Sequence, residues 1–147
     1  MTGVQTCALP ISFNDFNKQI MEEFHANGGK VGGRFEGRDM LILTTTGAKS
    51  GQMRWNPLVY SKDGDRYIIV ASKGGAPTSP DWYHNLVANG SAVIEVGNDV
   101  ISVEATTAAS AERDRLYAQH AANMPQFNDY AKNTTRTIPV VVLTVKS

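Results

Sequence analysis

An α+β domain built around an antiparallel sheet or small barrel is the fold class this sequence predicts, and three observations predict it. About six short runs rich in β-branched residues are spread along the chain. Two pairs of them flank Asp-Gly or Gly-Asn turn signals, which fold one strand back on the next. Helical segments interrupt the runs without regular β-α alternation, which argues against a doubly wound nucleotide-binding fold.

The elements follow in chain order. Phe13, Phe16, Ile20 and Phe24 recur at helical spacing between polar residues, so Phe13–Ala26 is an amphipathic helix. Ser12 with Asp15 fits a loose capping pattern, and Asn27-Gly28-Gly29 is the stop. The aromatic face covers the core or, alternatively, lies on a membrane surface or over a hydrophobic substrate. Glu22-Glu23 argues against docking on anionic lipid. Met40–Thr46 is a strand ended by Gly47. Trp55–Tyr60 and Arg66–Ala71 flank Lys62-Asp63-Gly64-Asp65 as a hairpin, and Ala92–Val96 and Val100–Ala105 flank Gly97-Asn98-Asp99 as a second. Thr137–Val145 is a last strand, with Pro139 at its start or on an edge. Three helices are expected among these strands. Pro80–Ala88 has Ser79 as N-cap and Asn89-Gly90 as stop, Ala111–Ala122 has Ser110 as N-cap, and Gln126–Ala131 follows Pro125.

The length of 147 residues suits one domain. With 41% hydrophobic and 19% charged residues, a packed core is expected and disorder is not. Fourteen basic residues balance fourteen acidic ones, so nothing in the bulk charge favours nucleic acid. The longest apolar runs fall far short of the roughly 20 residues a membrane-spanning helix needs. The one cysteine, Cys7, builds neither a disulfide within the chain nor a thiolate metal site, which fits a cytoplasmic location. Residues 1–12 have no periodicity and no signal-peptide pattern. They look like a non-native or disordered tail, leaving residues 13–147 as the domain.

Two loops carry the chemistry. Thr44-Thr45-Thr46-Gly47-Ala48-Lys49-Ser50-Gly51 ends a strand and can turn backbone N–H groups and a lysine toward one anion. It is not a nucleotide-hydrolase phosphate loop, because Ala48 replaces the required glycine before Lys49-Ser50 and a strand follows. Ala71-Ser72-Lys73-Gly74-Gly75-Ala76-Pro77-Thr78-Ser79-Pro80 also leaves a strand and opens onto a helix N-terminus. With Arg54, the loops suit a cofactor bearing a phosphate or several carboxylates. The alternative is that the glycines serve turns and the lysines only solvate the rim. His25, His84 and His120 lack metal-ligand spacing and are expected at the surface or partly buried, so no metal is expected.

The stretch from Leu43-Thr44-Thr45-Thr46-Gly47 through Lys49-Ser50-Gly51, Arg54 and Asn56-Pro57-Leu58 resembles the deazaflavin-dependent nitroreductase family. So do Ala71–Ala76, the run Pro80, Trp82-Tyr83, Asn85-Leu86 and Ala88-Asn89, and Arg136–Val142. The resemblance runs from about Phe35 to the C-terminus. It implies a split β-barrel like that of flavin-mononucleotide-binding oxidoreductases, using coenzyme F-420, an anionic 8-hydroxy-5-deazaflavin. Carried over to this sequence, the cofactor contacts fall on Ala48, Lys49, Ser50, Arg54, Trp55, Asn56, Pro57, Leu58 and Val59. They continue on Val70, Ala71, Ser72 and Lys73, then on Asp81, Trp82, Tyr83, His84 and Asn85.

The resemblance further implies hydride transfer from the reduced cofactor, with the protein supplying orientation, a polarising hydrogen bond and a dry pocket. Ser72 and Tyr130 are the expected catalytic residues, and Met124, Phe127 and Tyr130 the expected substrate pocket. The expected acceptor is a small hydrophobic quinone, enone or nitro compound; Met124 and Phe127 stand where the best-known nitroimidazole-reducing members have tyrosines, so the more apolar pocket favours quinones or enones. The alternative is that these two simply fill core. Rival readings are flavin mononucleotide in the same barrel, or a non-enzymatic carrier of deazaflavin or a hydrophobic ligand. A monomer or homodimer is expected, with peripheral membrane contact through the first helix a further expectation.

Overall fold

The structure is a computed structural model and describes residues 13–32 and 37–146. The suggested tail 1–12, with Cys7 and the Ser12 cap, lies outside the described residues. Among them are α1 (Phe13–Ala26), β1 (Met40–Thr46), β2 (Met53–Val59), β3 (Ser61–Asp63), β4 (Arg66–Val70), α2 (Asp81–Ala88), β5 (Ser91–Val96), β6 (Asp99–Thr107), α3 (Ser110–Asn123), α4 (Gln126–Lys132) and β7 (Val140–Val145). A single 3-10 turn, Lys73–Gly75, lies between β4 and α2.

All seven strands form one sheet in the order β2-β1-β5-β6-β7-β4-β3, and every pairing is antiparallel. The end strands β2 and β3 are separated in the chain by Tyr60 alone. Consecutive Cα atoms are about 3.8 Å apart, so the two ends of the sheet must come within two such steps of each other. The sheet therefore curls round on itself into the split barrel that the resemblance implies.

Alternation along the strands distributes the apolar side chains to two faces. Leu41 and Leu43 of β1, Ile69 of β4, Ile94 of β5, Val103 of β6 and Leu143 of β7 fill one cluster, and Trp82 and Leu86 of α2 pack into it. Ile68 and Val70, with Val140 and Val142, turn the other way and are covered by Leu116, Tyr117 and Phe127 of α3 and α4. Met40 and Ile42 lie under Ile20 and Phe24 of α1. Covered on both faces, β1 opens with four consecutive buried apolar residues, Met40–Leu43.

Several expected boundaries change for identifiable reasons. The sheet has seven strands because the expected Trp55–Tyr60 hairpin arm divides. Met53–Val59 pairs with β1, from Met40↔Val59 to Thr46↔Met53, and not with the Arg66 strand. The Asp-Gly turn instead closes the short β3–β4 hairpin, with Gly64 at φ +61°. Tyr60 leaves the ladder, its N–H donating to Asp39 O at 3.0 Å. β7 starts at Val140, because Pro139 has no N–H for the ladder; its carbonyl still accepts from Ala71 N at 2.9 Å. α2 starts at Asp81, after Pro80, because the expected Ser79 cap accepts from Arg136 instead. Ser110 is the first residue of α3, and Ala109 stands at the cap.

The β3–β4 hairpin is tied to α3. Asp63 accepts from Arg115 at 3.3 and 3.2 Å and also pairs with Arg66, and these bonds hold its carboxyl down at about 2. His120, expected near the surface, is fully buried. Its Nδ1 is 2.9 Å from Ser61 Oγ, its Nε2 has no partner among the described residues, and its ring meets Phe127 edge-on at 4.4 Å.

Burial pushes His120 down to about 4 from 6.5. The unfolded chain therefore binds the proton more readily, and stability is lost as pH falls from 6.5 toward 4. Urea unfolding should give a stability lower by about 2 kcal/mol at pH 5 than at pH 7.5 from this group. Replacement by asparagine (His120→Asn) should flatten that slope, and an unchanged slope would remove His120 as its source.

Candidate active site

The first loop is the turn of the β1–β2 hairpin. Gly47 N donates to Gln52 O at 2.7 Å and Gly51 N to Gly47 O at 3.0 Å, with Gly51 at φ +72°. Lys49 stands exposed on this turn. Arg54 lies opposite Thr45 in the ladder, so both side chains share one face. Leu58, two pairs farther along that face, packs on the inner cluster. Arg54 and Asn56 thus lie on the inner side of β2, near its free end. Trp55, Pro57 and Val59 point to the other face, where Val59 packs against the α1 cluster and Trp55 is half exposed. Contacts from those three to a ligand on the inner side must come from the backbone.

The second loop starts at the end of β4. Val70, Ala71 and Ser72 are buried, and Lys73 is exposed with φ +49°, in the left-handed region. The 3-10 turn follows, closed by Gly75 N to Ser72 O at 3.0 Å. Gly75 has φ +85°, and a Cβ there would lie 3.0 Å from Tyr130 O. Only glycine allows this backbone to rest directly on α4. The same contact brings Tyr130 to the Ser72–Gly75 turn. Tyr130 is partly exposed and its ring meets Phe127 edge-on at 5.1 Å. Phe127 and Met124 are 5% and 4% exposed, so in this structure both are core residues, and only Tyr130 of the expected pocket trio is open.

What joins the two loops is α2. Asn85 Oδ1 accepts from Ala48 N at 2.9 Å, while its Nδ2 donates to Thr45 Oγ1 at 3.1 Å. Both ends of a buried amide are therefore engaged by the first loop, and the helix carrying it grows directly out of the second. Asn85 and Trp82 point inward and position the site, whereas Asp81 and His84 are exposed and Tyr83 is half-buried on the inner cluster. Pro80 caps α2 without a side-chain hydrogen bond, so no cap side chain occupies the first N–H groups of the helix. Lys49, Arg54 and Lys73 have no carboxylate within 4.0 Å among the described residues. Three cations without acidic partners, Lys49 and Lys73 on loops and Arg54 in β2, fit a multiply charged anionic cofactor. No group of three or more His, Cys, Asp or Glu that could hold a metal occurs among the described residues.

Residues 17–145 match the family described as F420H(2)-dependent quinone reductase. The chain belongs to that family. It is 44% identical over 125 residues to an F420H(2)-dependent quinone reductase of Mycobacterium tuberculosis, covering 82% of this chain and 84% of the relative. A solved F420-H2 dependent reductase, FDR-A, is similar at 36% identity and a TM-score of 0.67, over 72% of this chain and 94% of its own. A second solved structure, a domain-swapped dimer, is similar at 32% identity and a TM-score of 0.69, over 90% of this chain and 99% of its own. Like other members of the quinone reductase family, the chain is a deazaflavin-dependent oxidoreductase, and coenzyme F-420 is its cofactor.

Sequence reasoning missed two participants in this candidate site. Thr45 appears only as one of three threonines, and Arg136 only as part of a resembling motif. The signal for Arg136 was a lone basic residue before Thr137-Ile138-Pro139, and nothing local says what it grips. Asn85→Ala should orphan Ala48 N and Thr45 Oγ1, at a cost of about 2 kcal/mol in unfolding free energy. Chemical denaturation checks this, and a loss below a few tenths would mean the bridge does not hold the loops.

Proposed function

We propose that this enzyme binds reduced coenzyme F-420 across its two lysine loops and reduces a small hydrophobic quinone beside Tyr130. The observation that supports the reading is the Asn85 bridge, which ties α2, the helix that follows the Lys73 loop, to Ala48 beside Lys49 and to Thr45, the ladder partner of Arg54. Lys49 and Lys73 can hold phosphate or carboxylate as point charges, and the Arg54 guanidinium can bind such a group in bidentate fashion. In this reading the first N–H groups of α2 add donors to the same anion. When bound, the deazaflavin supplies a hydride from its ring carbon. In this reading the hydroxyls of Ser72 and Tyr130 donate a hydrogen bond to an acceptor oxygen, and Tyr130 passes it a proton. Apolar Met124 and Phe127 behind Tyr130 keep water from that side.

Part of this reading is a cytoplasmic enzyme, monomeric or homodimeric, that meets lipid only peripherally along α1. No helix among the described residues is long and apolar enough to cross a membrane. Ile20 and Phe24 of α1 face inward onto β1, so the proposed lipid contact falls to the polar outer face of the helix.

Mixing the protein with reduced coenzyme F-420 and menadione should restore the oxidised chromophore at a rate proportional to enzyme. Tight binding without any such recovery would make the protein a carrier. Replacing Lys49 and Arg54 together by alanine should weaken cofactor binding by about 3 kcal/mol, from two lost charge-assisted hydrogen bonds. An unchanged dissociation constant would place the anionic group elsewhere. Tyr130→Phe should lower kcat with menadione by about tenfold and leave cofactor affinity unchanged, if the hydroxyl supplies a proton.

A further inference from the structure

Arg136 precedes β7, and its partly buried side chain reaches back into the second loop. Its Nε donates to Ala76 O at 2.9 Å and its Nη1 to Ser79 Oγ at 3.1 Å. Its Nη2 donates to Ala71 O at 3.1 Å and to Ser72 O at 2.9 Å. These contacts engage all but one of the guanidinium N–H donors. Every acceptor is neutral, and no carboxylate lies within 4.0 Å among the described residues. The group is therefore not half of an ion pair, and it has little left to offer a ligand. What it supplies is a rigid plane that fixes the spacing of acceptors at both ends of the loop.

Between those acceptors lie Lys73 and Gly75, both at positive φ. A lysine there needs outside support, because a Cβ disfavours the left-handed region. Two contacts provide it: Gly75 rests on α4, and Arg136 binds the carbonyls on either side of the turn.

We propose that Arg136 is a positioning residue, whose planar fork holds Ser72 and Lys73 toward the deazaflavin without itself touching it. This inference rests on the cofactor reading given under Proposed function. Arg136→Met removes fork and charge, and Arg136→Lys keeps the charge alone. Both are compared with the wild-type protein at a temperature where circular dichroism shows all three folded. In the cofactor-free Met variant, amide exchange across residues 72–79 should rise at least tenfold, with β1 unchanged. Titration with oxidised coenzyme F-420 should give a dissociation constant raised at least tenfold. The KM for reduced cofactor should rise with it, and the KM for menadione should stay within twofold. The Lys variant should behave like the Met variant. A Met variant of lower melting temperature but unchanged dissociation constant would overturn the proposal and leave Arg136 a stabilising residue only. Full recovery in the Lys variant would also overturn it, since charge and not geometry would then be the cause. A wild-type protein that fails to bind coenzyme F-420 is a separate failure, of the functional reading itself.

Discussion

The Asn85 side chain forms two hydrogen bonds in opposite directions, accepting from a backbone N–H of the first loop and donating to a β1 threonine. An amide is suited to this because one planar group carries both an acceptor and a donor. The group is buried, so losing either partner would leave an uncompensated polar atom, and the arrangement is held in both directions. Everything else about the site depends on this link. Without it the hairpin turn and the loop after β4 are two unrelated surface features, each with a solvated lysine.

A second layer of support comes from behind. The chain α3-α4 lies on the outer face of β4 and β7, with Tyr117 Oη donating to Phe127 O at 2.5 Å to fix the angle between the two helices. His120, Phe127 and Tyr130 then form a run of edge-on ring contacts from the protein interior to the partly open surface. Edge-to-face packing fixes ring orientation as well as position. Tyr130 is thus held from one side by aromatic packing and from the other by the backbone of the second loop, which Gly75 allows to come close. A fully buried, neutral histidine at the base of this run is consistent with a core that cannot tolerate charge.

Much of the fold could be read locally. The helix Phe13–Ala26 was legible to the residue because its apolar period and its Asn-Gly-Gly stop agree. The β5–β6 hairpin was legible because Gly97-Asn98 sits between two alternating runs. The Asp63-Gly64 turn was equally visible, yet its arms were misjudged. An Asp-Gly pair announces that a chain reverses, not how long each arm stays in a ladder. Tyr60 ends one arm because the barrel turns a corner there, and curvature of a closed sheet leaves no local trace in side-chain type. In the site, Lys49 and Lys73 were legible as cations on glycine-bearing loops and Arg54 as a cation just after the first, and the family motif named Asn85 and Trp82 without showing that both point inward.

By itself, the sequence determined the α+β class, which segments alternate and which are helical, the turn glycines, and a constellation specific enough to identify the family. Those properties follow from periodicity and from backbone preferences that act over a few residues. Only the tertiary structure decided that β2 pairs with β1, that Trp55 and Arg54 lie on opposite faces of one strand, that His120 is interior, and that Arg136 grips a loop 57 to 65 residues away. The physical reason is that a polar group takes whichever partner the closed barrel brings within reach, and that choice is made by burial summed over distant segments.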